Sequence, residues 1–572
     1  MFASLSHSSS GPARAWGAGL CLLGFWLAAA WLVDPAGEFP LNDDWSYWQA
    51  LMALLHQGRL ASTGWAGGGI ALIVHLLWGG LFTSLFGESF TALRLSVVVM
   101  GLLGSGALFM LLRSVGASAG VALLGALTLA ANPLFFSQSF TFMTDVTATS
   151  LVAMALLALH GGMGRGAWGL VCLGLLLCAA AVLTRQLALV LAVGFLAATW
   201  LHPAARALGR WRLTLLTVVL VCGPWLAWEW MLAASGSTPL GQHQLVRRLI
   251  PLLLSGDPQR YLDFAGLVAG RLVAAGLGIT TFFLLPLLLL GSRPSQAGAH
   301  ARRGWLIYVA ACLAVEGAAL AGFIPWPSQV FQRLLASMGF GNVLMNLGIG
   351  PLLFKDTYLL GHSALRPLPP MVWDLVGFIT APAMLKLVAA LARSLRDRCG
   401  QGPAGFIALT ALVSGLVYLA GLAVIGFHDR YLMLLILLWI VCLVARPQGP
   451  LHRAVPLPRL AAAGALVVLA AVWAVGGTHD FMAIERAAQQ ARRHAVRDLG
   501  VNPCHLDGGF AFNGLHCHHP SFRPRPGLSW WWVQREDYLV ALGRLAGYQV
   551  VRAYPARRWL APDTEVYLLK PD

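Results

Sequence analysis

Asp43 and Asp44 stand side by side in the segment Asn42-Asp43-Asp44-Trp45-Ser46-Tyr47, just beyond the first long apolar run. Adjacent carboxylates repel each other, and partial desolvation beside a membrane raises the pKa of at least one, which suits a general base. The same pair could hold a cation. It could equally be ordinary N-cap chemistry ahead of the amphipathic stretch Trp45–Leu55. Phe142-Met143-Thr144-Asp145 poses the same choice, because Thr144 or Asp145 would also cap a helix over 146–160. In Thr184-Arg185-Gln186 a guanidinium sits between two apolar runs and needs an anionic partner, either Asp145 or a lipid phosphate. His428-Asp429-Arg430-Tyr431-Leu432 offers His428 and Arg430 to a phosphate, or Tyr431 as an interfacial anchor.

The elements that must position these groups are set by hydropathy. Of 572 residues, 58% are hydrophobic and only 11% charged, with mean hydropathy +0.71. Soluble domains carry about 25% charged residues, so lipid is the solvent for most of this chain. The net charge of +16 does not indicate nucleic-acid binding, because the Arg residues lie in short loops between apolar runs rather than on one basic face. Apolar windows predict thirteen transmembrane helices: 15–33, 92–112, 117–135, 146–160, 168–184, 186–201, 213–233, 265–290, 305–324, 371–391, 404–426, 430–445 and 460–476. The first is read as a retained helix, since its apolar run is longer than a signal-peptide core.

A further run, Ala66 to Phe86, carries Gly67-Gly68-Gly69, His75 and Gly79-Gly80, and is read as interfacial or re-entrant. Without it as a span, Arg14, Arg113, Arg165, Arg206, Arg210, Arg212, Arg293, Arg302, Arg303, Arg393, Arg396, Arg398, Arg446, Arg453 and Arg459 fall on one side, accompanied by Asp397 as the single acid. The positive-inside rule makes that side cytoplasmic. The N-terminus is then cytoplasmic, and every polar motif above faces outward from the inner membrane.

The transmembrane domain is expected over 1–477, with outer loop 34–91, and a small extracytoplasmic α/β domain over 478–572. In the latter, His505–Phe512, Tyr548–Ala553 and Glu565–Leu569 read as strands and Glu536–Leu545 as a helix. Cys504 and Cys517 are the two cysteines on the outer side, so a disulfide is expected. Zinc held with His505, His516, His518 and His519 is the competing reading.

The acidic pair with Tyr47 three residues on, Asp145 in a Met-Thr-Asp setting and the His428-x-Arg430-Tyr431-Leu432 segment together resemble the GT-C glycosyltransferases. They are most similar to the branch of protein O-mannosyltransferases and lipid A aminoarabinose transferases. The likeness covers 34–190 and 425–445, and the order, spacing and shared face of the motifs make it specific. Gly64-Trp65-Ala66-Gly67-Gly68-Gly69 stands where relatives carry Lys-Pro or Pro, so that subfamily's phosphate contacts do not transfer.

The resemblance implies an all-α polytopic GT-C-like fold and transfer of a sugar, with inversion, from a polyprenyl-phosphate donor to a glycan, lipid or protein hydroxyl. Asp43 is then the general base, with Asp44 and Asp145 orienting. Tyr47, Arg185, His428, Arg430 and Tyr431 bind substrate, and Lys355, Arg247 and Arg248 are further cations for the leaving phosphate. No cofactor is implied, and a divalent cation on Asp43 and Asp44 stays open. A transporter or flippase would need an inverted repeat and midplane charges, whereas a polysaccharide polymerase or ligase would not need the acidic pair.

Overall fold

The structure, a computed structural model, describes residues 12–572 apart from 60–64, 66–71, 237–249, 292–302, 323–342, 346–347, 362–369, 398–399, 427, 446–454 and scattered positions between 304 and 319. The predicted span 305–324 lies partly outside the described residues, as do Arg247, Arg248 and the glycines at 64 and 67–69. Every other predicted span overlaps helix, with 117–135 broken at Ala131-Asn132.

The helices run α1 (Pro12–Val33), α2 (Asp44–Gln57), α3 (Ile73–Phe86), α4 (Phe90–Ser114), α5 (Ala119–Ala130), α6 (Pro133–Ser139), α7 (Thr144–Arg165), α8 (Trp168–Val182) and α9 (Val190–Leu201). They continue through α10 (Arg210–Ala234) and α11 (Pro258–Leu290) to α12 (Pro370–Arg396), α13 (Gly402–Ile425), α14 (Leu432–Val444), α15 (Leu457–Arg493) and α16 (Phe510–Cys517). Among the described residues, eight helices are long and apolar enough to cross a membrane, or up to nine if the bent pair α5–α6 is one span. The chain is a multi-pass membrane protein.

The bend between α5 and α6 is 65° and has a local cause. Pro133 cannot donate a backbone hydrogen bond, and Asn132 restarts the helix by accepting from the Leu134 N–H at 2.9 Å. The run read as interfacial contains α3, whose 14 residues span about 21 Å at 1.5 Å each, short of the roughly 30 Å hydrocarbon layer. Its buried His75 bridges Thr147 Oγ1 and the Phe142 carbonyl, both at 3.1 Å, so α3 packs on the start of α7.

The small C-terminal sheet has strand order β3-β4-β6-β5, built from β3 (Leu506–Asp507), β4 (Tyr538–Ala541), β5 (Tyr548–Ala556) and β6 (Thr564–Pro571). Two strands precede it in the chain, β1 (Leu344–Met345) and β2 (Gly348–Ile349), paired antiparallel. The predicted helix 536–545 is instead strand β4, parallel to β3 and antiparallel to β6. Leu539, Val540 and Ala541 are all fully buried, and a short apolar run buried on both faces suits a central strand. The predicted strand 505–512 shortens to β3, and its second half opens α16. The boundary drawn at 477–478 falls inside α15, which continues unbroken from the apolar span to pack against β5 and β6.

Candidate functional site

Asp43 occupies the N-cap position of α2, yet its side chain makes no capping hydrogen bond. Its Oδ1 accepts the indole N–H of Trp65 at 3.2 Å, and its Oδ2 lies 3.7 Å from Arg430 Nη2. The side chain keeps 16% of its surface exposed. Burial pushes its pKa up more than Arg430, the Trp65 hydrogen bond and Arg185 draw it down.

Asp44 is spent on the backbone. Its Oδ1 accepts the Phe142 N–H at 3.0 Å and its Oδ2 the Leu41 N–H at 3.3 Å. It is fully buried, and burial, opposed by Arg94, raises its pKa to about 7. One carboxylate of the adjacent pair therefore faces the site while the other ties the loop 34–91 to the start of α7. A divalent cation on the pair does not fit this arrangement, because both Asp44 oxygens are already occupied by backbone donors. Among the described residues no group of three or more His, Cys, Asp or Glu side chains is arranged to hold a metal ion.

Asp145, in the first turn of α7, is likewise not an N-cap, a position taken by Met143. It pairs with Arg185 at 3.2 Å and lies 3.6 Å from Arg430 Nε. Arg185 also donates to Thr144 Oγ1 at 3.1 Å and stacks 4.2 Å from the centre of the Tyr431 ring. Arg430 stands between Asp43 and Asp145 at salt-bridge distances longer than that of Arg185, so it is shared by two carboxylates. The tertiary structure thus brings Asp43, Asp145, Arg185, Arg430 and Tyr431 together from α2, α7, the α8–α9 junction and the α13–α14 turn.

Tyr47 is buried one turn into α2, edge-on to His75 and Phe142 at ring distances of 6.2 and 6.5 Å. His428 meets Tyr431 edge-on at 5.3 Å. Burial, then Arg430 and Arg185, push its pKa down to about 3, so its ring is neutral near pH 7 and supplies no positive charge. Lys355 binds Glu536 at 2.7 Å and belongs to the join with the C-terminal sheet.

Three further residues were given no role by the motifs. Trp65, in the segment Gly64-Trp65-Ala66-Gly67, reaches Asp43 through its indole N–H. Arg94 donates to the carbonyls of Pro35, Gly37 and Phe39, which folds the start of the loop 34–91. Asp429 accepts the N–H groups of Val343 and Leu344 at 2.8 and 2.6 Å and so anchors β1 beside the site.

The C-terminal region packs against Trp65 and the start of α2. The Trp65 ring meets Trp532 edge-on at 5.0 Å and lies 5.5 Å from Phe510. Trp45 meets Trp532 at 5.3 Å. Gln49 of α2 donates to the Leu515 carbonyl of α16 at 3.0 Å, and Cys504 and Cys517 are joined in a disulfide at the end of α16.

Residues 73–228 match the family described as dolichyl-phosphate-mannose-protein mannosyltransferase. The chain is similar to the GT-C glycosyltransferases. The match runs from α3 into α10 and contains Asp145 and Arg185, while Asp43 and Arg430 lie outside it. Among solved structures, ArnT from Cupriavidus metallidurans bound to undecaprenyl phosphate is 14% identical, with TM-score 0.39, over 97% of this chain and 98% of that one. The oligosaccharyltransferase AglB from Archaeoglobus fulgidus, in complex with an inhibitory peptide and a dolichol-phosphate, is 12% identical, with TM-score 0.41, over 85% and 58%. The arabinosyltransferase EmbB from Mycobacterium smegmatis is 13% identical, with TM-score 0.32, over 82% and 42%. No curated protein sequence matches the chain.

Proposed function

We propose that this protein transfers a sugar from a polyprenyl-phosphate donor to an acceptor hydroxyl on the outer face of the inner membrane. The acceptor is a glycan, lipid or protein. Asp43 removes the hydroxyl proton as the acceptor oxygen attacks the anomeric carbon. The new C–O bond forms as the bond from that carbon to the phosphate oxygen breaks, and the configuration inverts. The polyprenyl phosphate leaves with the electron pair and one more negative charge, which Arg185 and Arg430 stabilise. Asp145 holds both guanidiniums in register, and Tyr431 lies under Arg185.

The observation that carries the reading is the division of labour within the acidic pair. Both Asp44 oxygens are committed to backbone N–H groups, while Asp43 stands partly exposed beside Arg430 and Trp65. A carboxylate with a raised pKa is the better proton acceptor. The test is Asp43→Asn, assayed with purified protein and a panel of radiolabelled polyprenyl-phosphate sugars in envelope extract. Asn keeps the size and capping ability of Asp but has no useful proton affinity. Sugar transfer is expected to fall by roughly 10²–10⁴-fold, the usual contribution of a general base, with donor binding retained. Wild-type turnover would falsify the assignment.

A further inference from the structure

We propose that the loop 557–561, between β5 and β6, seats in the headgroup layer of the leaflet on the C-terminal domain's side. Trp559 and Leu560 lie at the acyl boundary, and Arg557 lies on lipid phosphates. The placement follows from α15. Its apolar stretch runs from Leu460 to Gly477 and ends at Thr478-His479-Asp480, the point where a spanning helix leaves hydrocarbon.

The loop is fastened at that level. Asp480 accepts the N–H groups of Trp559, Leu560 and Ala561 at 2.6, 3.0 and 3.2 Å. His479 stacks flat on the Trp559 ring at 3.7 Å. One turn back, Gly476 makes room for the loop, since a methyl group there would come within 2.7 Å of Leu560 Cγ. Further along α15, away from the span, Arg486 donates to the carbonyl of Val33, the last residue of α1, at 3.0 Å. The loop's attachment therefore lies on the membrane side of the level at which α1 ends.

What the loop presents suits that layer. Trp559 and Leu560 remain 52% and 50% exposed, although a soluble surface has little reason to fasten two large apolar side chains outward. Arg557 beside them is exposed, whereas the Arg558 side chain is turned back onto the Pro562 carbonyl and its backbone N–H donates to the Asp563 carboxylate. Tryptophan at the headgroup level, with arginine reaching phosphate, is the chemistry of an interfacial anchor. Through β5 and β6 the anchor fixes the sheet against the bilayer, independently of what reaction the site performs.

The test places p-benzoylphenylalanine at Leu560 of the full-length chain in phosphatidylethanolamine–phosphatidylglycerol nanodiscs, irradiates, and reads intact mass. Phospholipid adducts are expected in roughly fivefold higher yield than with the probe at Gln549, which is exposed on β5 about 23 Å up the strand from Ala556. Equal yields, no lipid adduct at 560, or a cross-linked second protein chain there overturns the proposal. Arg557→Glu sets an anion against lipid phosphate and is expected to lower the adduct yield roughly twofold or more; an unchanged yield overturns the phosphate contact.

Discussion

The hydrogen bond from Trp65 to Asp43 favours the ionised carboxylate, so it sets where a base at this position becomes active. Activity that needs ionised Asp43 is lost as pH falls through its pKa, which burial has already raised above the usual carboxylate range. Trp65→Phe keeps an aromatic ring against Trp532 but removes the N–H. The acidic limb of the rate profile should then move to higher pH, and kcat/KM at neutral pH should fall roughly tenfold, equivalent to about 1.4 kcal/mol. A limb that stays in place while the rate drops would mean that Trp65 serves packing alone. Arg185 asks a different question, because its Nη1 meets both Asp145 and Thr144. Arg185→Lys keeps the charge and loses the fork, so donor affinity should weaken before turnover does, as read by KM against kcat.

Among the elements, the contact between the start of α2 and the turn before α7 depends on Asp44. Replacing it with Asn leaves one acceptor oxygen for two backbone donors. One buried N–H loses its partner, at a cost of about 1–3 kcal/mol. The pH dependence has a definite sign. Because the folded-state pKa of about 7 exceeds the ordinary 3.8, the stability linked to protonated Asp44 is complete below about pH 4 and is lost as pH rises through 7. The melting-temperature gap between wild type and Asp44→Asn in nanodiscs should accordingly narrow from pH 5 to pH 8. A gap that widens would show the carboxylate, not the acid, to be the stabilising form.

At the scale of the whole molecule, the C-terminal region and the acidic loop are one packed unit. Gly514 of α16 sits directly on Trp45, and a methyl group there would fall 2.3 Å from Trp45 Cε2. Gly514→Ala must push α16 off α2 and should cost about 1–3 kcal/mol of stability, typical of overpacking. It should also slow sugar transfer, although no atom of residue 514 is assigned to substrate. Full activity in a destabilised variant would separate the domain from the reaction. The same unit carries the topology. Reporters inserted in 161–167 and attached after Asp572 are expected to read cytoplasmic and external respectively, and the reverse would move the acidic pair to the cytoplasmic side.

Local pattern was enough for what depends on solvent. Apolar runs of hydrocarbon length marked α1, α4, α7, α10, α11, α12, α13 and the first part of α15, because burial in lipid is decided residue by residue along the chain. The short motifs around Asp43, Asp145, Arg185 and Arg430 were legible as residue types, and the pairing of Cys504 with Cys517 as a count of the cysteines outside the expected spans on one side. Residue types alone could not say which of two adjacent aspartates is the base; only the family resemblance pointed to Asp43. Which of them faces the site rests on hydrogen bonds to Phe142, 98 residues away, and Trp65, 22 residues away. Residue types could not separate the cap reading of Asp43 and Asp145 from the functional one either, because both need the same residue at the same helix start. The apolar run in 536–545 suits helix and strand alike, and its pairing with β3 and β6 decided for strand. Hydropathy and propensity act on neighbours in the chain, whereas hydrogen-bond partners and sheet edges are supplied only when distant segments meet.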